Sequence, residues 1–235
     1  MSVDQFIAQL RGRAATENVA NPYNCYEPGI DTSQEAFCQR CLQLAAYLRH
    51  RQETARIIMV AEAPGYQGAR FSGLAMTSER LLSGGLNFVT EHDILGQDGL
   101  FERTSHIDAS AKDAVRQGGF AEPTATVVWQ ELMETRQSRN VVLWNTFPFH
   151  PHQEANRLSN RKPTRAEIAA SAHFLVELRA LFAHNCHLVA VGNVARDHLQ
   201  DLGVQANALR HPANGGAAQF RAQFREILGL ADAPN

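Results

Sequence analysis

The chain has 235 residues, of which 44% are hydrophobic and 20% charged, a composition typical of a globular protein with one sizeable core. No apolar run approaches the roughly 20 residues that a membrane-spanning helix needs, so we expect no membrane partner. The formal net charge of −2 does not indicate a polyanionic partner, although a groove can be basic on a protein that is not.

The first residues, MSVDQFIAQLRGR, lack the basic and apolar segments of a secretory signal, so we expect a cytoplasmic location. In that compartment the four cysteines are expected to be reduced thiols.

The first part of the chain predicts two helices before a buried strand. Residues 1–30 have the pattern of a short helix followed by a loop. Thr32 and Glu35 are spaced as a capping box that opens a second helix. The apolar run at 56–61 predicts the strand, and 77–82 suggest a short helix.

Residues 84–121 are rich in Gly, Asp, Ser and Gln without periodicity, which predicts a long loop or an insertion. The remaining predicted elements are a helix at 122–136, a strand at 141–144, a loop at 147–162, a helix from Thr164 to about 183, a strand at 187–191, a helix at 194–202, a short strand at 207–210 and a helix at 215–228.

Strands alternate with helices along most of the chain. This alternation predicts an α/β fold, a three-layer α/β/α sandwich around a central, mainly parallel four-stranded sheet. We expect residues 1–235 to form a single domain.

Three of the predicted strands end in distinctive polar residues. Glu62 begins the turn Glu-Ala-Pro-Gly after the first strand, Asn145 ends the second, and His211 follows the short fourth. Because ligands bind at the carboxyl ends of parallel strands, we expect these three side chains to converge on one pocket.

The three residue types suit a planar, hydrogen-bonding ring. An amide such as Asn145 offers an acceptor beside donors, which matches the carbonyl and N–H edge of uracil and mismatches cytosine. His211 can donate to a ring carbonyl as negative charge develops, and Glu62 can orient water or stabilise a cationic sugar. Together they would cleave an N-glycosidic bond.

Each of these residues has a simpler interpretation when taken alone. Glu62 is also compatible with a solvated residue or a helix cap, Asn145 with a turn, and His211 with an ordinary His-Pro loop. The prediction depends on their order and placement.

Five segments in register, from about residue 56 to 228, resemble the uracil-DNA glycosylase superfamily. They are closest in motif to its bacterial and archaeal iron–sulfur branch, the family 4-like glycosylases. The segments are VAEAPGYQGARFSG, VVLWNT, NRKPTRAEI, AVGNVARDHL and LRHPANGG. The resemblance implies a DNA repair enzyme that flips uracil out of DNA and excises it by base excision, without a lyase step and as a monomer.

The resemblance also assigns roles around the base. Glu62 would position the water, Asn145 would read the uracil edge and His211 would stabilise the uracil anion. The backbone of Ala63, Pro64 and Gly65 would contact the base. Phe71 would stack on it, and Tyr66 adds a ring beside the pocket, although Gly65 lies nearer the position that would exclude the thymine methyl group.

The DNA backbone would be held by small and basic residues. The resemblance suggests phosphate contacts by Ser72, Gly215 and Gly216, with help from Arg161 and Lys162. It also suggests that the loop of Ala213, Asn214, Gly215 and Gly216 enters the minor groove. Because this loop lacks a bulky wedge, single-stranded or mispaired substrates are favoured.

The chain departs from the iron–sulfur branch at its cluster ligands. Cys38 and Cys41 match the first pair, but Phe149 and Ser171 stand where the other two cysteines are expected. We therefore predict no cluster, no metal and no cofactor. A zinc site formed by Cys25, Cys38, Cys41 and a histidine is an open alternative.

Two other functions stay open at this stage. One is a glycosylase for another deaminated base, hypoxanthine or xanthine. The other is a catalytically silent protein that keeps the fold and binds nucleic acid.

Overall fold

A computed structural model describes residues 1–229 of the chain. Within these residues the strands are β1 (Val19–Ala20), β2 (Ile57–Ala61), β3 (Val141–Asn145), β4 (His150–Pro151), β5 (His187–Val191) and β6 (Asn207–Leu209). The helices are α1 (Val3–Gly12), α2 (Ala36–Arg49), α3 (Ala69–Ser72), α4 (Glu79–Leu82), α5 (Glu91–Leu95), α6 (Asp113–Gly118), α7 (Pro123–Glu134), α8 (Arg165–Ser171), α9 (His173–Arg179), α10 (Asn193–Asp201) and α11 (Ala217–Ile227).

The central sheet has four parallel strands in the order β3-β2-β5-β6. Every residue of β2 and β3 is buried, as expected for a parallel sheet covered by helices on both faces. The predicted fold class is therefore confirmed. A second, two-stranded sheet pairs β1 with β4 in antiparallel fashion.

The sequence pattern located most elements but misjudged two helix boundaries. The Thr32 and Glu35 capping box does not form, because α2 begins at Ala36 and Glu35 makes no side-chain cap. The helix predicted from Thr164 to about 183 is interrupted at Ala172, whose N–H bonds to Ala169 three residues back and so ends α8.

Residues 84–121 contain α5 and α6 and are otherwise irregular. They are packed on the core, since Ile94 and Leu95 are buried and the buried Arg51 guanidinium donates to the Ile94 carbonyl at 2.7 Å. The predicted long loop agrees with the mostly irregular backbone of residues 84–121. The buried side chains and the contact with Arg51 show that this segment packs against the core.

A buried ion cluster joins distant parts of the chain. Asp31 lies 2.8 Å from Arg40 on α2 and 3.2 Å from Arg70 on α3. Arg70 also pairs with Glu27 at 2.7 Å, and Glu27 with Arg157 at 2.7 Å. The cluster thereby connects the N-terminal segment to the loop that follows β4.

Within residues 1–229, no helix combines the length and the apolar character that a membrane crossing requires.

Candidate functional site

The ends of β2 and β3 lie side by side. Ala61 pairs with Asn145 in the parallel register, and the next residues stay connected. The Thr146 N–H donates to the Ala61 carbonyl at 2.8 Å, and the Phe147 N–H donates to the Glu62 carbonyl at 3.1 Å. These bonds bring the Glu62 and Asn145 backbones to one edge of the sheet.

Two residues that the sequence analysis assigned no role, His150 and Asn160, contact the backbone of the turn after β2. The buried His150 ring contacts the Pro64 carbonyl through Nδ1 at 2.8 Å. Asn160 accepts the Tyr66 N–H through Oδ1 at 3.0 Å. Both follow β3, so only the folded chain brings them to this turn.

His211 enters from the other side, after β6. Gly192, at the end of β5, has a φ of +88°, and a Cβ there would lie 3.0 Å from the His211 Cβ. Glycine at this position therefore allows both the left-handed backbone and the close approach of His211. The Ala213 N–H donates to His211 Nδ1 at 3.1 Å, so the neutral ring carries its proton on Nε2.

Glu62, Asn145 and His211 line one cavity of about 360 Å³. The other residues that line it are Ala61, Ala63, Pro64, Gly65, Ala69, Met76, Glu122, Thr124, Asn160, Arg161 and Lys162. The strand-end side chains thus share one hollow, as the topology led us to expect.

The polar groups of this cavity are poorly satisfied by the protein itself. Glu62 Oε1 is buried without a hydrogen-bond partner, and the Asn145 side chain, only 4% exposed, makes no hydrogen bond to the described residues. Buried polar groups normally have partners, so these atoms are available to a ligand or to water.

Burial shifts the pKa values of Glu62 and His211 in opposite directions. Burial raises the pKa of Glu62, and the positive charge of Lys162 acts in the opposite direction. Burial, together with Arg210, lowers the pKa of His211, which favours its neutral form near pH 7.

Glu122 is a cavity residue that sequence reasoning missed. It precedes Pro123 at the start of α7, and its Oε2 is buried with no hydrogen-bond partner. The only sequence signal was an acidic residue before a helix, which usually indicates a cap.

The two predicted base-contacting aromatic residues lie outside the cavity lining. Phe71 is 1% exposed and stacks on Phe120 at 5.4 Å with an interplanar angle of 17°. Tyr66 packs edge-on against the same Phe120 ring at 5.9 Å. Phe120 therefore covers one face of the Phe71 ring.

Ser72 is not a phosphate contact in this structure. It is fully buried, and its hydroxyl donates to the Thr77 carbonyl at 2.6 Å and accepts the Leu74 N–H at 3.0 Å. The prediction failed because Ser72 turns into the interior at the end of α3.

The two basic residues of the cavity rim differ in their surroundings. The Arg161 guanidinium binds both carboxylate oxygens of Glu167, at 2.9 and 2.6 Å, and also donates to backbone carbonyls. The Lys162 side chain is exposed and makes no ion pair or hydrogen bond with the described residues, although the Lys162 carbonyl accepts from Arg161 at 3.0 Å. Lys162 is thus the cation that remains available to a phosphate.

The loop 213–216 presents part of its length to solvent. Asn214 and Gly215 are exposed and have left-handed backbone, with φ of +55° and +77°, whereas Ala213 is half-buried. Gly216 is buried, and a Cβ on it would lie 2.1 Å from the His211 carbonyl oxygen. Gly216 therefore acts in packing, and the loop tip is what can reach DNA.

The side chains around Cys38 and Cys41 do not suit an iron–sulfur cluster. Phe149 and Ser171 are buried at the other two positions, and Arg13 lies over Phe149 at 4.9 Å and donates to Ser171 at 3.3 Å. Within residues 1–229, no group of three or more His, Cys, Asp or Glu side chains is arranged to hold a metal, so the alternative zinc site is not assembled.

Comparisons with known proteins agree with this architecture. The family model described as "Uracil DNA glycosylase superfamily" matches residues 49–229. The crystal structure of wild-type SMUG2 from Pedobacter heparinus resembles the chain with a TM-score of 0.60 and 11% sequence identity, covering 97% of this chain and 96% of that one. At this identity the likeness concerns the fold. A comparison with curated protein sequences gives no match.

Proposed function

Because the chain belongs to the uracil DNA glycosylase superfamily, and is on that ground a DNA glycosylase, we propose that its substrate is uracil in DNA. The reaction is hydrolysis of the N-glycosidic bond of a nucleotide flipped out of the strand. The observation that carries this proposal is the meeting of Glu62, Asn145 and His211 around one cavity.

Recognition of the base depends on Asn145. Its side chain is buried and has no partner among the described residues, so a ligand can use all of its hydrogen-bonding capacity. The amide oxygen accepts the uracil ring N–H, and the amide nitrogen donates to the adjacent carbonyl. A buried amide left unpaired by the wrong base supports strong discrimination.

The bond is broken by opposite charges at its two ends. The His211 Nε2–H donates to a uracil carbonyl and stabilises the departing anion, because the Ala213 N–H already occupies Nδ1. The Glu62 carboxylate, whose ionised form is favoured by the charge of Lys162, orients the attacking water and stabilises the cationic sugar. The uracil leaves with the bonding electron pair, and water adds to the sugar carbon and gives up a proton to the Glu62 carboxylate.

We further propose that the reaction is hydrolytic, without a lyase step, and the exposure of Lys162, the lysine among the residues that line this cavity, supports this. Lysines that form Schiff bases in enzymes are desolvated. We therefore expect no covalent adduct when the reaction is run with borohydride.

Replacement of Asn145 by Asp tests the reading of the base. The carboxylate cannot donate to a uracil carbonyl, so we expect uracil excision to fall by at least about 100-fold. The measurement is a single-turnover assay on oligonucleotides that contain uracil, hypoxanthine, xanthine or cytosine, each treated with alkali to reveal abasic sites. Asn207→Asp, an exposed change on β6, is the matched control.

The same panel decides between the proposal and its rivals. Release of hypoxanthine or xanthine in preference to uracil would redefine the substrate. Binding without scission of any oligonucleotide would indicate a silent protein, and normal uracil excision by Asn145→Asp would refute the assigned pocket.

A further inference from the structure

The cavity contains a second carboxyl group that the proposed mechanism does not use. Glu122 lines it together with Glu62, and the described residues offer the Glu122 side chain no hydrogen-bond partner. Although Glu122 stands at the N-cap position of α7, its side chain does not cap the helix. Helix capping therefore does not explain the orientation of the Glu122 side chain.

The position of this carboxyl is set by packing. A Cβ on Gly68 would lie 2.0 Å from Glu122 Oε2 and 2.8 Å from its carboxyl carbon, so the absence of a side chain at Gly68 makes room for the group. Two residues before Glu122, Phe120 is fixed against Phe71 and Tyr66. Gly68 thus gives the carboxyl its space, and the packing of Phe120 holds the chain segment that precedes it.

Glu122 is half-buried as a residue, but its Oε2 is enclosed without a partner. An enclosed, unpaired carboxylate is costly, and proteins usually respond by keeping the group protonated. Burial is the only cause that acts on Glu122, and it raises the pKa to about 7. A neutral carboxyl has an O–H donor, which a carboxylate lacks.

We propose that Glu122 contacts the extruded base and donates a hydrogen bond to one of its carbonyl oxygens. This inference rests on the proposed function of the same cavity. It makes Glu122 a catalytic residue that reads the base in addition to Asn145. It also implies that the donor is lost at alkaline pH.

No neighbouring charge accounts for the protonation of Glu122. The titratable and charged groups on the elements around it are Glu62, Tyr66, Arg70, Glu79, Arg80, Arg161, Lys162 and His211. Arg70 is engaged by Glu27 and Asp31, and Arg161 by Glu167. The donor function of Glu122 therefore depends on its own burial.

The test is the pH profile of single-turnover excision between about pH 5 and 9, measured on the base that the wild-type protein releases. We expect the wild-type rate to fall above about pH 7. Glu122→Gln keeps an N–H donor at every pH, so it should lose this alkaline limb. Glu122→Ala should be about tenfold slower at neutral pH.

Glu134→Gln is the matched control, because it makes the same change on α7 at a residue paired with Arg225 and away from the cavity. It should keep the wild-type profile. The proposal is overturned if Glu122→Gln retains the alkaline limb and Glu122→Ala retains the wild-type rate.

A second readout does not need catalysis. The ¹³C carboxyl signal of Glu122 is titrated in the full-length protein, alone and with an oligonucleotide that carries 2′-fluoro-2′-deoxyuridine, whose fluorine resists formation of the cationic sugar. Contact with a carbonyl oxygen should move the titration midpoint upward, and an unchanged midpoint opposes the inference. If no base is released but the titration midpoint of Glu122 moves, the proposed function alone fails. If uracil is released, Glu122→Gln keeps the alkaline fall in rate and the titration midpoint does not move, the inference alone fails.

Discussion

At the residue scale, His211 shows how one backbone contact determines the chemistry of a side chain. The Ala213 N–H occupies Nδ1, and burial with Arg210 favours the neutral ring, so Nε2–H is the donor that this cavity residue can offer to a ligand. A neutral donor stabilises a developing anion without binding the ground state as strongly as a cation would.

Arg161 and Lys162 are adjacent cations with different roles. The sequence treats them alike, as members of one basic cluster. The structure engages Arg161 with Glu167 and leaves Lys162 exposed. Lys162 is therefore the residue of this pair that we expect to contact a phosphate.

Lys162→Ala should weaken DNA binding and lower the slope of log affinity against log salt concentration by about 1, the loss of one phosphate contact. The measurement is fluorescence anisotropy at several salt concentrations. Arg56→Ala, an exposed change before β2 and at the opposite end of that strand from the cavity, should leave the slope unchanged. An unaltered slope in Lys162→Ala would remove this residue from the DNA interface.

At the element scale, the start of α8 connects helix capping to the cavity rim. The Thr164 hydroxyl accepts the Glu167 N–H at 3.2 Å, and Glu167 accepts the Thr164 N–H at 2.6 Å, so the predicted capping box is confirmed. The same carboxylate binds Arg161, and these bonds lower the pKa of Glu167 to about 2. One side chain thus holds both the helix and the loop before it.

Glu167→Gln should lower the free energy of unfolding at pH 7 by about 1–2 kcal/mol, after allowance for solvent screening of a partly exposed pair. Because the folded-state pKa lies below the ordinary value of 4.5, this contribution is present above about pH 4.5 and is lost as pH falls towards about 2.

Urea unfolding of both proteins across this pH range measures the difference. Glu154→Gln, an exposed carboxylate in the preceding loop, serves as the control and should have no effect at any pH. A stability difference that persists at about pH 2 would show that the helix cap depends on something other than the charge of Glu167.

At the scale of the whole molecule, the buried cluster around Asp31 holds separate regions in one body. Burial acts to raise the pKa of Asp31, but Arg70 and Arg40 outweigh it and hold the pKa below its usual range. The cluster spans the N-terminal segment, α2, α3 and, through Glu27, the loop that carries Arg157. It supports the prediction of a single domain.

Asp31→Ala should lower the free energy of unfolding by about 3–5 kcal/mol, because two buried guanidinium groups lose their shared partner. Calorimetry should show one transition in the wild-type protein. Asp4→Ala removes an exposed partner of Arg49 and should cost less than about 1 kcal/mol. Two separate wild-type transitions would contradict the single domain.

The sequence by itself determined the elements whose pattern is local. The apolar runs of β2, β3 and β5 and the polar residues at the strand ends were readable because strand burial and sheet topology follow from short-range pattern. The motif order also carried the superfamily, which the family match confirms.

Tertiary structure decided the contacts between segments far apart in the chain. It stacked Phe120 on Phe71 and enclosed Ser72 in the interior. It also brought Glu122 to within 2.0 Å of the position of a Gly68 Cβ, 54 residues earlier in the chain. No local pattern encodes these contacts, because each depends on how long-range packing fills the space between elements.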